Sequence, residues 1–201
     1  MPAMSLARRY DALNAALFWS SGGSRRVRQR LPDTLEVEHG HHVLDLGAGT
    51  GQMTALLLEA GASVVAVDGM PSMLEGARRR APAATLVEGD VLDADVGGDF
   101  DRVVLSFVLH NFDAEARVRL LRRAASALAV GGRVGVLDWA LPPGRRRAAL
   151  WRRVLAVIEP SPTVSDLLDG ALETDIARAG LRAVRHEPVA GGRGQVLVLT
   201  T

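Results

Sequence analysis

Cysteine is absent from the 201 residues, and so is lysine: every one of the 24 basic residues is arginine. The first absence excludes disulfides, thiolate metal sites and cysteine nucleophiles. The second excludes Schiff-base chemistry and the P-loop lysine. Tyrosine occurs once, at Tyr10. No apolar run approaches the ~18 residues that a membrane-spanning helix needs. A formal net charge of +1 gives no global case for nucleic-acid binding. What remains, 48% hydrophobic and 23% charged residues, suits one globular domain with a substantial core. Cytoplasm is the default compartment.

What is present alternates. Leu6, Tyr10, Leu13 and Leu17 recur at helical spacing, so an amphipathic helix opens the chain. Two arginines ahead of an apolar patch resemble a signal peptide, but Asp11 and Asn14 interrupt the patch and no small-residue cleavage site follows. "SSGG" (20–23) breaks the chain, and "SRRVRQRL" starts a second short helix. Thereafter "HVLDL", "SVVAVD", "ATLVEGD", "FDRVVLSFVL" and "RVGVLDW" read as strands separated by helices. The helix after the fourth strand is expected to run from an N-cap at Asp113 to a terminator at Gly131. Two helical stretches follow, near 144–158 and 165–179, the second with Ser165 as N-cap. "LRAVRHEP" and "GQVLVLT" close the chain as a hairpin. The pattern predicts one α/β domain with a mainly parallel sheet, helices on both faces and a small helical cap at the N-terminus.

The first strand runs into "GAGTGQ", with glycines at 47, 49 and 51. The G-x-G-x-x-G dinucleotide fingerprint would place its third glycine one residue later. Glycine still tolerates φ > 0 and leaves the backbone open to a ligand, and a helix opening there presents free N–H groups to negative charge. Asp68 ends the second strand about 20 residues on, where such folds place an acid on ribose hydroxyls; that disfavours a 2′-phosphate. Asp90 reaches the same sheet edge after the third strand, suited to an adenine amino group, with Val91 on the ring. Asp45 is an acid in an otherwise apolar strand and needs a partner.

"VLDLGAGTGQMT", "VVAVDGMPSML", "VEGDVLD", "FDRVVLSFVLHNF" and "GGRVGVLD", in this order and spacing, resemble the class I S-adenosylmethionine-dependent methyltransferases, closely over residues 42–139 and in outline elsewhere. The resemblance implies a Rossmann-like, seven-stranded sheet with an antiparallel last strand. It implies a cap over 1–40, a cofactor-binding core over 41–139 and acceptor-side helices with the terminal hairpin over 140–201. It places Gly47, Ala48 and Gly49 under the methionine end of S-adenosylmethionine, oriented by Asp45, and Asp68 on the ribose. Gly69, Met70 and Met73 would flank adenine, with Asp90 and Val91 on its edge and face; Ser106 would lie near the amino group. S-adenosylhomocysteine would be the product.

Methyl transfer is mostly alignment, worth ~7–11 kcal/mol, to which a positioned base adds ~10²–10⁴-fold. His110, after the fourth strand, is the candidate base, with pocket shaping or capping as the alternative role. Asn111 suits a substrate oxygen or a helix-entry turn. "YDALN" (10–14) resembles the start of the quinone C-methyltransferase branch, where this segment caps the site, making Tyr10 a second catalytic candidate. That branch usually carries arginine at the place of His110 and continues further at the C-terminus. Asp138 and Trp139 would line an acceptor pocket, with Trp151 beside them. "HGHH" (39–42) lies before the first strand without an acid cluster, so no metal site is expected. The arginine runs 25–30, 78–80 and 145–147 suit either an anionic lipid surface or solvated helix faces.

The expected function is methyl transfer to a small hydrophobic acceptor, quinone-like, phenolic or lipid-like. The alternatives are a cofactor-binding regulator or cyclase scaffold, and an NAD-linked oxidoreductase, which the glycine spacing and the missing tyrosine–lysine pair oppose. No nucleic-acid partner is expected.

Overall fold

The computed structural model describes residues 6–201; the side chains of Leu6, Ala7 and Arg9 lie outside what it describes, and with them Leu6's place in the predicted apolar stripe. Helices α1 (Leu6–Phe18) and α2 (Gly23–Thr34) precede β1 (His42–Leu46), α3 (Gln52–Glu59), β2 (Ser63–Asp68), α4 (Pro71–Arg80), β3 (Thr85–Glu88) and β4 (Phe100–Ser106). Then come α5 (Ala114–Ser126), β5 (Leu128–Trp139), α6 (Arg145–Ile158), α7 (Pro162–Asp166), α8 (Leu172–Arg178), β6 (Arg182–Val189) and β7 (Gly194–Thr200). The seven strands form one sheet in the order β3-β2-β1-β4-β5-β7-β6, parallel except that β7 runs antiparallel to both neighbours. Among the described residues no helix is long and apolar enough to cross a membrane.

The central strands are buried on both faces, so Val43, Leu44, Leu46, Val103, Val104, Leu105, Val134 and Val136 are fully enclosed. This is why they read as apolar runs and not as alternation. On one face α2 lies so close to β5 that a Cβ on Gly135 would stand 2.9 Å from Leu31 Cδ1.

Three expected boundaries differ. Helix α5 starts as expected, with Asp113 Oδ1 accepting from Ala116 N–H at 2.9 Å, but it stops at Ser126, not Gly131. Leu128 pairs with Phe100 while Arg133 pairs with Arg102, so residues 129–132 bulge out of the ladder; Gly131, at φ +80°, turns that bulge. The fourth strand ends at Ser106, before "FVL". In the third case Ser161, not Ser165, caps α7: its Oγ accepts from Thr163 N–H at 3.3 Å, and Pro162 supplies the fixed φ of a first helical residue. Gly170, at φ +95°, then breaks the run expected over 165–179.

Candidate active site

Sheet order reverses between β1 and β4, and the crevice outside their carboxyl ends is where open α/β sheets hold ligands. The glycine turn leaves β1 at that point. Its three glycines do different work. A Cβ on Gly47 (φ +82°) would stand 2.5 Å from Val108 Cγ2, and one on Gly51 (φ +77°) would stand 2.8 Å from Ala77 Cα, so these two admit the neighbouring chain. Gly49 (φ +55°) faces open space. The N–H groups of Gly47 and Ala48 both donate to Val67 O at 2.9 Å, which ties the turn to β2.

Asp68 braces this turn: Oδ2 accepts from Gly49 N–H at 2.8 Å and Oδ1 from Met70 N–H at 2.9 Å. Beside it opens a cleft of ≈ 530 Å³ lined by Gly47, Asp68, Gly69, Asp90, Val91 and Asn111, among others. Of the other expected contacts, Ala48 and Met73 are buried outside that lining, and Met70 is exposed at the N-cap of α4. Deeper in, Asp45 is wholly enclosed. Its Oδ2 accepts from Thr54 Oγ1 at 2.7 Å, while Oδ1 has no partner. Burial, with the Asp68 carboxylate adding to it, pushes the Asp45 pKa up to about 7, despite the Thr54 bond and the nearby Arg28 charge. Ser106 Oγ is also buried without a partner.

His110 and Asp138 meet at the ends of β4 and β5. Asp138 Oδ1 accepts from His110 Nδ1 at 2.8 Å and from Trp139 N–H at 2.8 Å, and Oδ2 accepts from His110 N–H at 3.3 Å. Both oxygens of Asp138, expected beside an acceptor, are thus engaged by its own neighbours. Burial disfavours the imidazolium, but the Asp138 charge and hydrogen bond outweigh it and raise the His110 pKa above its ordinary value. Thr163 Oγ1 donates to His110 O at 2.7 Å, anchoring the residue to α7. Around the pair, Trp139 stacks on Phe18 (5.6 Å between ring centres), tilts on Phe107 (4.6 Å) and meets Trp151 edge-on (5.8 Å). Phe107 has φ +55°, a conformation that costs a bulky residue and is stored where surrounding structure imposes it.

Similarity to known proteins settles its family. The methyltransferase-domain family matches residues 43–132. A demethylmenaquinone methyltransferase of Beutenbergia cavernae is 33% identical over 198 residues, covering 94% of this chain and 80% of the relative. The chain belongs to the class I S-adenosylmethionine-dependent methyltransferases. The demethylmenaquinone methyltransferase of Mycobacterium tuberculosis is 32% identical over 206 residues, covering 93% of this chain and 85% of its own. In fold, this methyltransferase is similar to a TehB-like enzyme from Corynebacterium glutamicum, with a TM-score of 0.69, 22% identity and 97% of both chains covered. It is also similar to the O-methyltransferase NcsB1 of neocarzinostatin biosynthesis, with a TM-score of 0.67, 24% identity, 96% of this chain and 57% of that one covered. The chain thus spans little more than half of NcsB1. Membership sets aside the nicotinamide reading.

The residues of this methyltransferase fit its cofactor. The orphaned Asp45 Oδ1 suits an ammonium, the space at Gly49 leaves backbone exposed, and the Asp68 cleft suits a nucleoside. The cap is fastened over the glycine turn by Asp11 of α1. Its Oδ1 accepts from Thr50 Oγ1 and Gln52 Nε2, both at 2.7 Å, and Oδ2 pairs with Arg80 at 2.6 Å. Burial opposes ionisation of Asp11, but these bonds hold its pKa below the usual value. The Tyr10 hydroxyl stands beside Arg28 and Asn14, and burial raises its pKa.

Sequence reasoning missed Thr54, Phe107, Asn14 and Arg28. In the sequence Arg28 is only one member of the basic run 25–30. The structure dissolves that run: Arg25 pairs with Glu59, Arg30 pairs with Glu187, and Arg28 is buried. The histidines of "HGHH" part as well: His41 Nδ1 accepts from Glu38 N–H at 3.0 Å, and His42 stacks on Phe100.

Proposed function

We propose that the acceptor is a small apolar aromatic carrying an ionisable hydroxyl, a phenol or quinol, and that His110 takes the hydroxyl proton. The observation that carries this is the enclosed His110–Asp138 pair. With Nδ1–H donated to Asp138, the neutral ring keeps its lone pair on Nε2, which has no partner among the described residues. Bound S-adenosylmethionine supplies an electrophilic methyl group on sulfonium. Asp45 would hold its ammonium, with Ser106 alongside; Asp68 would hold the ribose diol; Asp90 and Val91 would meet adenine. His110 would accept the proton at the hydroxyl oxygen, and Asp138 would stabilise the imidazolium. The resulting oxygen, or the ring carbon beside it, then takes the methyl group.

His110 is 4% exposed, so α1, with Tyr10 and Phe18, would swing aside to admit the acceptor and exclude water on return. The aromatic cluster of Phe18, Phe107, Trp139 and Trp151 packed beside His110 supports an apolar acceptor. So do relatives whose names specify demethylmenaquinone. The test is release of S-adenosylhomocysteine with a panel of acceptors. Dihydroxynaphthoates, naphthoquinols and simple phenols are expected to turn over; their methyl ethers are expected to be inert. Equal turnover of aliphatic amines or carboxylic acids would defeat the reading.

Two cofactor roles have their own checks. Asp68→Ala removes the ribose contacts and the brace on Gly49, so S-adenosylhomocysteine affinity should fall about 10–100-fold by calorimetry. Unchanged affinity would show that Asp68 only shapes the turn. Asp45 should lose a proton when an ammonium arrives at Oδ1. Its folded pKa, about 7, lies above its unfolded value of 3.8, so the unliganded fold binds the extra proton between those values and loses stability as pH rises through them. Binding of S-adenosylhomocysteine at pH 6 should therefore release nearly one proton, and at pH 8.5 almost none. Calorimetry in buffers of different ionisation enthalpy measures this, and Asp45→Asn should abolish it.

A further inference from the structure

Arg28 is 3% exposed, yet its guanidinium forms no ion pair with a carboxylate among the described residues. Its hydrogen-bond partners are neutral, Ser24 Oγ, Asn14 Oδ1 at 3.3 Å and the Tyr10 hydroxyl, and the Phe107 ring centre lies 4.8 Å below the guanidinium carbon; the Asp11 carboxylate acts on it only from beyond ion-pair distance. A buried cation without a counter-charge is expensive, and an anion arriving beside it would offset that cost.

The surroundings say where that anion sits. Ser24 Oγ donates in turn to Gln52 Oε1 at 2.8 Å, and Gln52 is the first residue of α3, directly after the glycine turn. Phe107 directly follows Ser106 at the end of β4. The guanidinium is therefore held between the glycine turn and the end of β4. Its field reaches Asp45, whose free Oδ1 is the acid for an ammonium. A buried cation beside the glycine turn and an unsatisfied carboxylate oxygen on the strand that leads into it match the two charges of an α-amino acid.

We propose that Arg28 binds the α-carboxylate of S-adenosylmethionine, so that the cap helix α2 reads the amino-acid end of the cofactor and α1–α2 close tightly only over it. The proposal rests on the placement of that end at Asp45. An acceptor carboxylate is the other source of the same chemistry, and the test separates the two by omitting any acceptor.

The experiment is calorimetric binding of S-adenosylhomocysteine and of its decarboxylated analogue, 5′-deoxy-5′-(3-aminopropylthio)adenosine, to wild type, Arg28→Lys and Arg28→Met. Wild type should prefer the carboxylate-bearing ligand by about 10–100-fold. Arg28→Met should erase that preference by weakening S-adenosylhomocysteine alone, leaving the analogue within about threefold, and Arg28→Lys should fall between. The thermal midpoint of unliganded Arg28→Met should equal or exceed that of wild type, because a buried unpaired charge has gone. Equal wild-type affinity for the two ligands overturns the proposal without any variant. So does an equal loss of both ligands in Arg28→Met, which marks a purely structural residue. A defect confined to acceptor KM also overturns it and assigns Arg28 to the acceptor. The acceptor reading, tested by turnover, survives each of these outcomes.

Discussion

His110→Gln should lower kcat by about 10²–10⁴-fold while leaving S-adenosylhomocysteine affinity within a few-fold of wild type. Glutamine keeps a polar group of similar reach against Asp138 but has no basic nitrogen, so the loss isolates proton transfer from packing. The pH profile carries the sign. Burial disfavours the protonated ring, but Asp138 outweighs it, so the folded pKa lies above 6.5. The base must be neutral to act, so kcat/KM should rise with pH through a midpoint above the ordinary histidine value and then level off. Asp138→Asn removes the negative charge that raises the pKa and should move that midpoint down as well as reduce the rate. The pair's contribution to stability follows the opposite course: it is complete below the unfolded pKa and is lost as pH rises through the folded one. A His110→Gln enzyme with wild-type kcat would return His110 to a shaping role and leave alignment as the whole of the catalysis.

Arg117→Leu should cost about 3–5 kcal/mol of stability, which for a chain of this length lowers the thermal midpoint by about 6–20 °C. Arg117 has no exposed surface. Its Nε donates to Asp175 of α8 at 2.6 Å, Nη2 pairs with Asp166 of α7, and Nη1 donates to Phe112 O at 2.8 Å. One guanidinium thus ties α5 to two later helices and to the segment just after His110. Removing it strands the enclosed Asp175 carboxylate, left with Arg178 at 3.7 Å. The penalty is that of an uncompensated buried charge, not the net worth of the pair. The double variant Arg117→Leu/Asp175→Leu should therefore recover a large part of the loss. Additive losses in chemical denaturation would show that the two residues act independently.

The alternation of strands and helices, the parallel core and the glycine turn were legible because they are local. Period and turn chemistry are carried by neighbouring residues, and Asp45, Gly47, Asp68 and Asp90 stand at strand ends that the pattern locates within a residue or two. The methyltransferase family could be recognised for the same reason: its motifs are short and lie in fixed order. Boundaries failed where a distant partner decided them. Gly131 resembles a helix terminator until Phe100 and Arg102 pair around it, and Ser165 resembles a cap until Pro162 starts the helix earlier.

The site divided along the same line. Composition and spacing by themselves determined the α/β class, the cofactor crevice and the exclusion of cysteine and lysine chemistry. Only the tertiary structure paired His110 with Asp138, 28 residues away, a contact that neither residue's place in the sequence announces. Only it split one run of arginines into two surface ion pairs and a buried cation above the crevice. The reason is physical. A residue's type states what charge or hydrogen bond it can offer, but desolvation and the partner that answers it arise only when distant segments close around it.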